Sequence, residues 1–200
     1  MVKILGVDVA NKGIDKSSLC FREDFLVEKF VIYDNNDTVD LSDNIQSYHL
    51  QYNFDWIVID CDGLGIGVYD VLYKRGLPVY EFKGSFSPRD PEYFNARSEA
   101  YFNVRNLLNP DPRINSEPLE LPPDDDLMHE LCSINWDIRN GRKRIEDKKE
   151  FKKRLGRSPD KADSLIYAFY PDAQSRSGLW LMSGLNIYGL DTQSRWKKRN

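Results

Sequence analysis

Four aspartates stand where a carboxylate is costly and where chemistry could use one: Asp8, Asp60, Asp160 and Asp163. Asp8 closes the apolar run VKILGV, Asp60 closes WIVI, and Asp160 and Asp163 open the segment SPDKADSLIYAF. Two unit charges about 4 Å apart repel by roughly 4 kcal/mol at an effective dielectric of about 20, so a fold that gathers these groups must place positive charge among them. A hard divalent cation such as Mg²⁺, which takes oxygen ligands, meets that need. Asp60 follows four apolar residues and precedes a glycine loop, a place that gives a charge little reason except a ligand. Asp160 and Asp163 fall in a helical first turn, where the macrodipole also favours negative charge, so helix-start decoration is their plainer role, as turn initiation is for Asp8. Asp62, on the same side as Asp60 if the strand runs on, and Asp15, at the far edge of the first turn, are reserve acids.

The net charge of −4 is unevenly spread. Residues 1–70 hold thirteen acidic and five basic side chains, whereas residues 139–157 hold ten basic and three acidic ones. An acidic pocket beside a basic surface suits a site that grips and cuts phosphodiesters; a solvated helix face is the bland alternative. The candidate phosphate contacts are Arg142, Lys143, Arg144, Lys148, Lys152, Lys153, Arg154 and Arg157. His49 and His129 both fall in helical patterns, leaving histidine-based nucleophilic chemistry little to work with. Cys20, Cys61 and Cys132 have no spacing that would hold zinc or a redox disulfide. No apolar run approaches the roughly 20 residues of a membrane span and no secretory signal is legible, so a soluble intracellular protein with no membrane partner is expected.

The elements that must position these groups read clearly. VKILGVDV, SSLCFRE and FLVEKFVIY are β-branched and aromatic runs joined by short connections, which predicts three antiparallel strands. Leu41, Ile45 and Tyr48 mark a helix by their spacing, and DWIVIDCDG is a strand apolar enough to be buried on both faces. Gly63, Gly65 and Gly67 lead into the helix GVYDVLYKRG and then the buried strand LPVYEF, a right-handed crossover with Asp60 at its ligand-gathering end. The helix NARSEAYFNVRNLL follows. The proline-rich and acidic NPDPRINSEPLELPPDDD is an exposed connection, and DLMHELCSI is a short helix. Asn140-Gly141 signals a basic hairpin. DKKEFKKRL is a helix ended by Gly156, and Ser158 and Pro159 start another. One domain over residues 1–173 is expected, with 174–200 a loosely attached tail.

An acid on the first strand of a hairpin sheet, another on a later parallel strand and a third on a terminal helix resemble the ribonuclease H-like fold, an α/β mixed sheet flanked by helices. GVDVANKGIDKS, IVIDCDGLGIGVYDVL, YFNARSEAYF and KKRLGRSPDKADSLIYAF together resemble the nuclease domain of the large terminase subunit of tailed bacteriophages, over most of residues 3–170. The resemblance implies that Asp8, Asp60 and Asp163 are a metal-binding triad, with Asp160 a further ligand or water-positioning group. It implies that Asn95 and Arg97 are structural supports or backbone contacts and that Lys148 lies close to the scissile phosphate. It implies hydrolysis of double-stranded DNA with two Mg²⁺ or Mn²⁺ ions, Asp8 bridging both. The expected setting is the cytoplasm of the infected host, where concatemeric viral DNA is cut during genome packaging. A terminase ATPase domain, the small terminase subunit and the portal would be partners. No phosphate-loop pattern occurs, so a nuclease domain without the motor is expected. A junction resolvase of the same fold, an actin-like nucleotide-binding domain and a metal-free assembly module are the alternatives.

Overall fold

The computed structural model describes residues 1–10, 16–34, 37–109 and 118–175. Strands β1 (Lys3–Asp8), β2 (Ser17–Glu23) and β3 (Leu26–Tyr33) form an antiparallel meander. β4 (Trp56–Asp60) then pairs parallel to β1, and β5 (Val79–Phe82) pairs parallel to β4. The sheet order is β3-β2-β1-β4-β5. Helices α1 (Thr38–Tyr52) and α2 (Gly65–Lys74) make the two crossovers. After β5 come α3 (Ala96–Leu108), α4 (Asp125–Ser133), the hairpin β6 (Trp136–Arg139) and β7 (Arg142–Ile145), α5 (Lys148–Leu155) and α6 (Asp160–Ser175).

Strand alternation decides which side chains reach the site. Leu5 and Val7 of β1 and Ile57 and Ile59 of β4 join the core beneath α1 and α2, with Leu41, Ile45, Val68 and Leu72. Because side chains alternate along a strand, Ile4, Gly6 and Asp8 face the other way, as do Trp56, Val58 and Asp60. That second face packs on α3 and α6 through Val104, Leu165, Ile166 and Phe169. Asp8 and Asp60 therefore lie on the α6 side of two adjacent parallel strands, each at its carboxyl end. The final paired residues are Val7 and Ile59, so the two aspartates are the next step along the ladder.

α6 comes unusually close to the sheet at Gly6. A Cβ at this position would stand 2.1 Å from the Ser164 carbonyl oxygen and 2.6 Å from the Ala168 nitrogen. Ser18 and Ser164 hydroxyls meet at 2.8 Å in the same buried seam. Further along, Arg22 of β2 donates to the Ala168 carbonyl at 2.7 Å and lies over the Phe169 ring. Small and polar side chains thus let helix and strand touch backbone to backbone, which carries the start of α6 over the strand ends.

Several sequence expectations need correction. β5 is a half-buried edge strand in which only Phe82 is fully enclosed, because nothing pairs with its outer side among the described residues. The proline-rich connection is not exposed throughout: Leu119 is buried and Glu120 pairs with Leu26 beside β3. Its apolar residues were outweighed in the sequence by five prolines and six acids. The helix that begins in SPDKADSLIYAF extends beyond that segment to Ser175. Asp15 and residues 176–200 lie outside the described residues.

Candidate active site

Asp8 and Asp163 are 1% and 0% exposed, and both meet the ammonium of Lys148. Lys148 Nζ donates to Asp8 Oδ1 at 2.9 Å and Oδ2 at 2.8 Å, and lies 3.2 Å from Asp163 Oδ2. The lysine is placed by α5, whose N-terminus carries a capping box between Asp147 and Glu150 and whose C-terminus is closed by Gly156 at φ 78°. Phe151, fully buried, anchors that helix to the domain.

Asp163 is held from behind. Arg97 of α3 donates to its Oδ1 at 2.9 Å and the Tyr101 hydroxyl donates to the same oxygen at 2.6 Å. Arg97 also donates to the Glu146 carbonyl at 2.6 Å, where β7 passes into α5. Asn95 caps α3 by accepting from the Ser98 backbone at 2.9 Å, so Arg97 sits in a fixed first turn. Asp60 Oδ1 accepts from the Asp62 backbone at 3.0 Å and Oδ2 from the Tyr167 hydroxyl at 3.1 Å. Asp160 Oδ2 accepts from the Lys16 backbone at 3.3 Å, tying the start of α6 to the start of β2.

The acids differ in their electrostatics. Burial pushes the Asp8 carboxyl well above its ordinary value; Lys148 pulls it down, while Asp163, Asp160 and Asp60 push it further up. Burial also works against the charge on Asp163, but Arg97, Lys148 and Tyr101 outweigh it and hold this carboxyl below the ordinary range. Asp60 is raised, chiefly by burial. Two cations, Lys148 and Arg97, against four carboxylates within electrostatic reach of one another leave the cluster short of positive charge.

A divalent cation fits that shortage. The donor atoms are all carboxylate oxygens, as hard cations require. Asp163 Oδ2 is buried and accepts no hydrogen bond, and it faces the Lys148 ammonium. Among the described residues no three acidic, histidine or cysteine side chains stand in coordinating positions as the side chains are arranged, with Lys148 between Asp8 and Asp163.

The chain can now be set beside known proteins. No protein-family model matches it, and no curated protein does. The nuclease domain of the large terminase subunit gp2 of bacterial virus Sf6 superposes with a TM-score of 0.72 at 22% identity, covering 83% of this chain and 86% of that one. This chain has the fold of a terminase nuclease domain. A mutant form of the Sf6 domain, solved with manganese and beta-thujaplicinol, gives the same TM-score of 0.72 at 22% identity, over 83% of this chain and 86% of that one. The large terminase nuclease of thermophilic phage G20c, solved with magnesium, superposes with a TM-score of 0.60 at 17% identity, over 85% of this chain and 80% of that one. The terminase-nuclease fold is ribonuclease H-like, as the order of acids along the sequence suggested.

Within this fold Asp8, Asp163 and Lys148 meet, and Asp60 and Asp160 lie within electrostatic reach of Asp8. Asp62 turns away: its Oδ2 accepts from the Ser85 backbone at 3.1 Å and its Oδ1 from the Ser85 hydroxyl at 2.9 Å, stitching two loops together. Much of the basic surface is engaged with acids. Arg144 pairs with Asp137 at 2.8 Å and Glu150 at 3.1 Å, Lys143 with Glu92 at 2.6 Å, Arg154 with Glu146 at 2.5 Å, and Arg157 with Asp126 at 3.3 Å. Arg142 and Lys153 are exposed and make no ion pair among the described residues. Sequence reading passed over Tyr101 and Tyr167. Each follows a charged site residue by four positions on its helix, Arg97 and Asp163 respectively, a spacing that places both on one face.

Proposed function

We propose that the protein is a divalent-metal-dependent endonuclease that hydrolyses phosphodiester bonds of double-stranded DNA, cutting concatemeric viral DNA as genomes are packaged. The observation that carries this reading is that Asp8 of β1 and Asp163 of α6 share the Lys148 ammonium, with Asp60 of β4 within electrostatic reach of it. The solved structures set beside it above are terminase nuclease domains, one with manganese and one with magnesium.

Asp8, Asp60 and Asp163 would hold Mg²⁺ or Mn²⁺, with Asp160 assisting through water. When bound, such ions activate water for attack and stabilise the leaving oxygen, and a pair of them can do both. The protein's own groups supply the rest. Arg97, Tyr101 and Tyr167 fix the carboxylates in orientation before substrate arrives. Lys148, which pairs with Asp8 and Asp163, would be free to meet a phosphate oxygen once cations had displaced it. Arg142 on β7 and Lys153 on α5, with Lys152 next to it in sequence, would hold the DNA backbone without reading base sequence. A terminase ATPase domain, the small terminase subunit and the portal are the proposed partners, and the host cytoplasm is the proposed setting. Among the described residues no helix is long and apolar enough to cross a membrane.

The test is plasmid digestion with Mn²⁺, run beside an EDTA control and Asp8→Asn. The parent should cut only with metal, and a four-way junction should be cut no faster than linear duplex. Asp8→Asn should lose cleavage while retaining its fold and DNA affinity. Cutting that survives EDTA, or survives the substitution, refutes the proposal.

A further inference from the structure

The oxygens of Asp163 are not equivalent. Oδ1 accepts two hydrogen bonds, from Arg97 at 2.9 Å and Tyr101 at 2.6 Å, and these use both of its lone pairs. Oδ2 meets only the Lys148 ammonium, at 3.2 Å. Asp60 has one donor on each oxygen, and Asp8 turns both oxygens to Lys148. Of these three acids, Asp163 alone has one oxygen fully committed to the protein and the other turned toward the site.

The hold on Oδ1 is itself rigid. Arg97 and Tyr101 are one turn apart on α3, with the guanidinium 4.8 Å from the tyrosine ring centroid and Nη2 3.4 Å from its hydroxyl. A third anchor, the Glu146 carbonyl, fixes the other end of the guanidinium. Tyr101 is 6% exposed, and its buried hydroxyl donates to Asp163 Oδ1 at 2.6 Å.

We infer that Tyr101, with Arg97, is a positioning residue that restricts Asp163 to ligation through Oδ2 alone and thereby sets which cations the site prefers. The inference rests on the metal-dependent reading above. Mg²⁺ requires near-octahedral geometry and is bound by few carboxylate oxygens, whereas Ca²⁺ accepts six to eight oxygens and readily takes both oxygens of one carboxylate. A carboxylate with one oxygen locked away suits the smaller ion and denies the larger one a chelating partner. Mn²⁺, which shares the hard oxygen-ligand preference of Mg²⁺, serves as its probe.

The experiment is calorimetric titration of Mn²⁺ and of Ca²⁺ into the full chain, for the parent, Tyr101→Phe and Arg97→Lys, with melting temperatures in EDTA. The parent should prefer Mn²⁺. Loss of an outer hydrogen bond to a metal ligand typically lowers affinity about 10- to 100-fold. Tyr101→Phe should weaken Mn²⁺ binding by about 10-fold while Ca²⁺ binding holds or tightens, so the preference for Mn²⁺ shrinks at least as much. Arg97→Lys should move the preference in the same direction. A purely structural tyrosine would lower the melting temperature without changing the ratio of the two affinities. Mn²⁺ binding by the parent with an unchanged ratio in both variants overturns the inference and leaves the nuclease reading standing. Failure of the parent to bind either ion overturns both.

Discussion

Gly6→Ala tests whether the site depends on the backbone contact between β1 and α6. The added methyl would stand 2.1 Å from the Ser164 carbonyl oxygen, 2.6 Å from the Ala168 nitrogen and 2.9 Å from its Cβ, against an ordinary contact that begins at 3.4 Å. Two of these three atoms are backbone, so no rotamer change relieves them and helix and strand must part by about 1 Å. Overpacking of this kind costs typically 1–3 kcal/mol, and a clash with fixed backbone belongs at the upper end, about 3 kcal/mol. For a chain of this length each kcal/mol moves the melting temperature by roughly 2–4 °C, so a fall of about 6–12 °C is expected. Asp163 neighbours Ser164 and moves with it, away from Asp8. Misplacement of a reacting group by about 1 Å can cost about 100-fold in rate, so Mn²⁺-dependent cleavage should drop by that order even where the variant is fully folded. Adding Ala168→Gly removes only the most distant clash and should not restore activity. A Gly6→Ala protein that melts within about 2 °C of the parent and cuts at the parental rate would refute the argument.

Glu130 provides a pH test. Burial pushes its carboxyl up to about 7 from 4.5, against the pull of the Ala162 backbone N–H and Arg157, with Asp160 and Asp163 adding to the rise. The folded protein then binds a proton between those values that the unfolded chain has lost, so this group's contribution to stability is greatest below 4.5 and declines until pH passes about 7. Glu130→Gln, which keeps an acceptor for Ala162, should be more stable than the parent at pH 8 by up to about 3 kcal/mol and equal to it near pH 4.5; melting curves that stay parallel across that range refute this. Lys148→Met leaves Asp8 and Asp163 facing each other with less positive charge; the metal-free protein should lose about 2 kcal/mol, a value reduced for the solvent that reaches the lysine stem, and Mn²⁺ should raise its melting temperature more than it raises the parent's. Arg142→Ala and Lys153→Ala should each lower the slope of log affinity for duplex DNA against log salt by about 0.9, measured by fluorescence anisotropy. Arg144→Ala, by breaking pairs with Asp137 and Glu150, should instead lower the melting temperature and leave that slope nearly unchanged.

The sequence revealed the order of elements because local signals and the final fold agree. Alternating and continuous apolar runs marked β1 to β4, and Asn140-Gly141 marked the hairpin, whose two turn residues take φ of 52° and 75°. Asp8 and Asp60 were legible because charges at the ends of buried strands are anomalous there. The supporting groups were not. Nothing local says that Tyr101 reaches Asp163 across 62 residues of sequence, or that Tyr167 reaches Asp60 across 107. Those partnerships depend on how α3 and α6 cross the sheet. The basic segment misled in another way: its composition is correct, but the acids that neutralise Arg144, Lys143 and Arg157 come from neighbouring elements and can be assigned only in three dimensions.

Because α6 closes the sheet late in the described chain, the acid cluster is indivisible in synthesis. A ribosome that stalls between residues 61 and 162 releases a product bearing Asp8 and Asp60 but lacking Asp163 and most of the helix that seats against Gly6. On the nuclease reading proposed above such a product would be inert toward DNA, so the order of elements would itself guard against premature cutting.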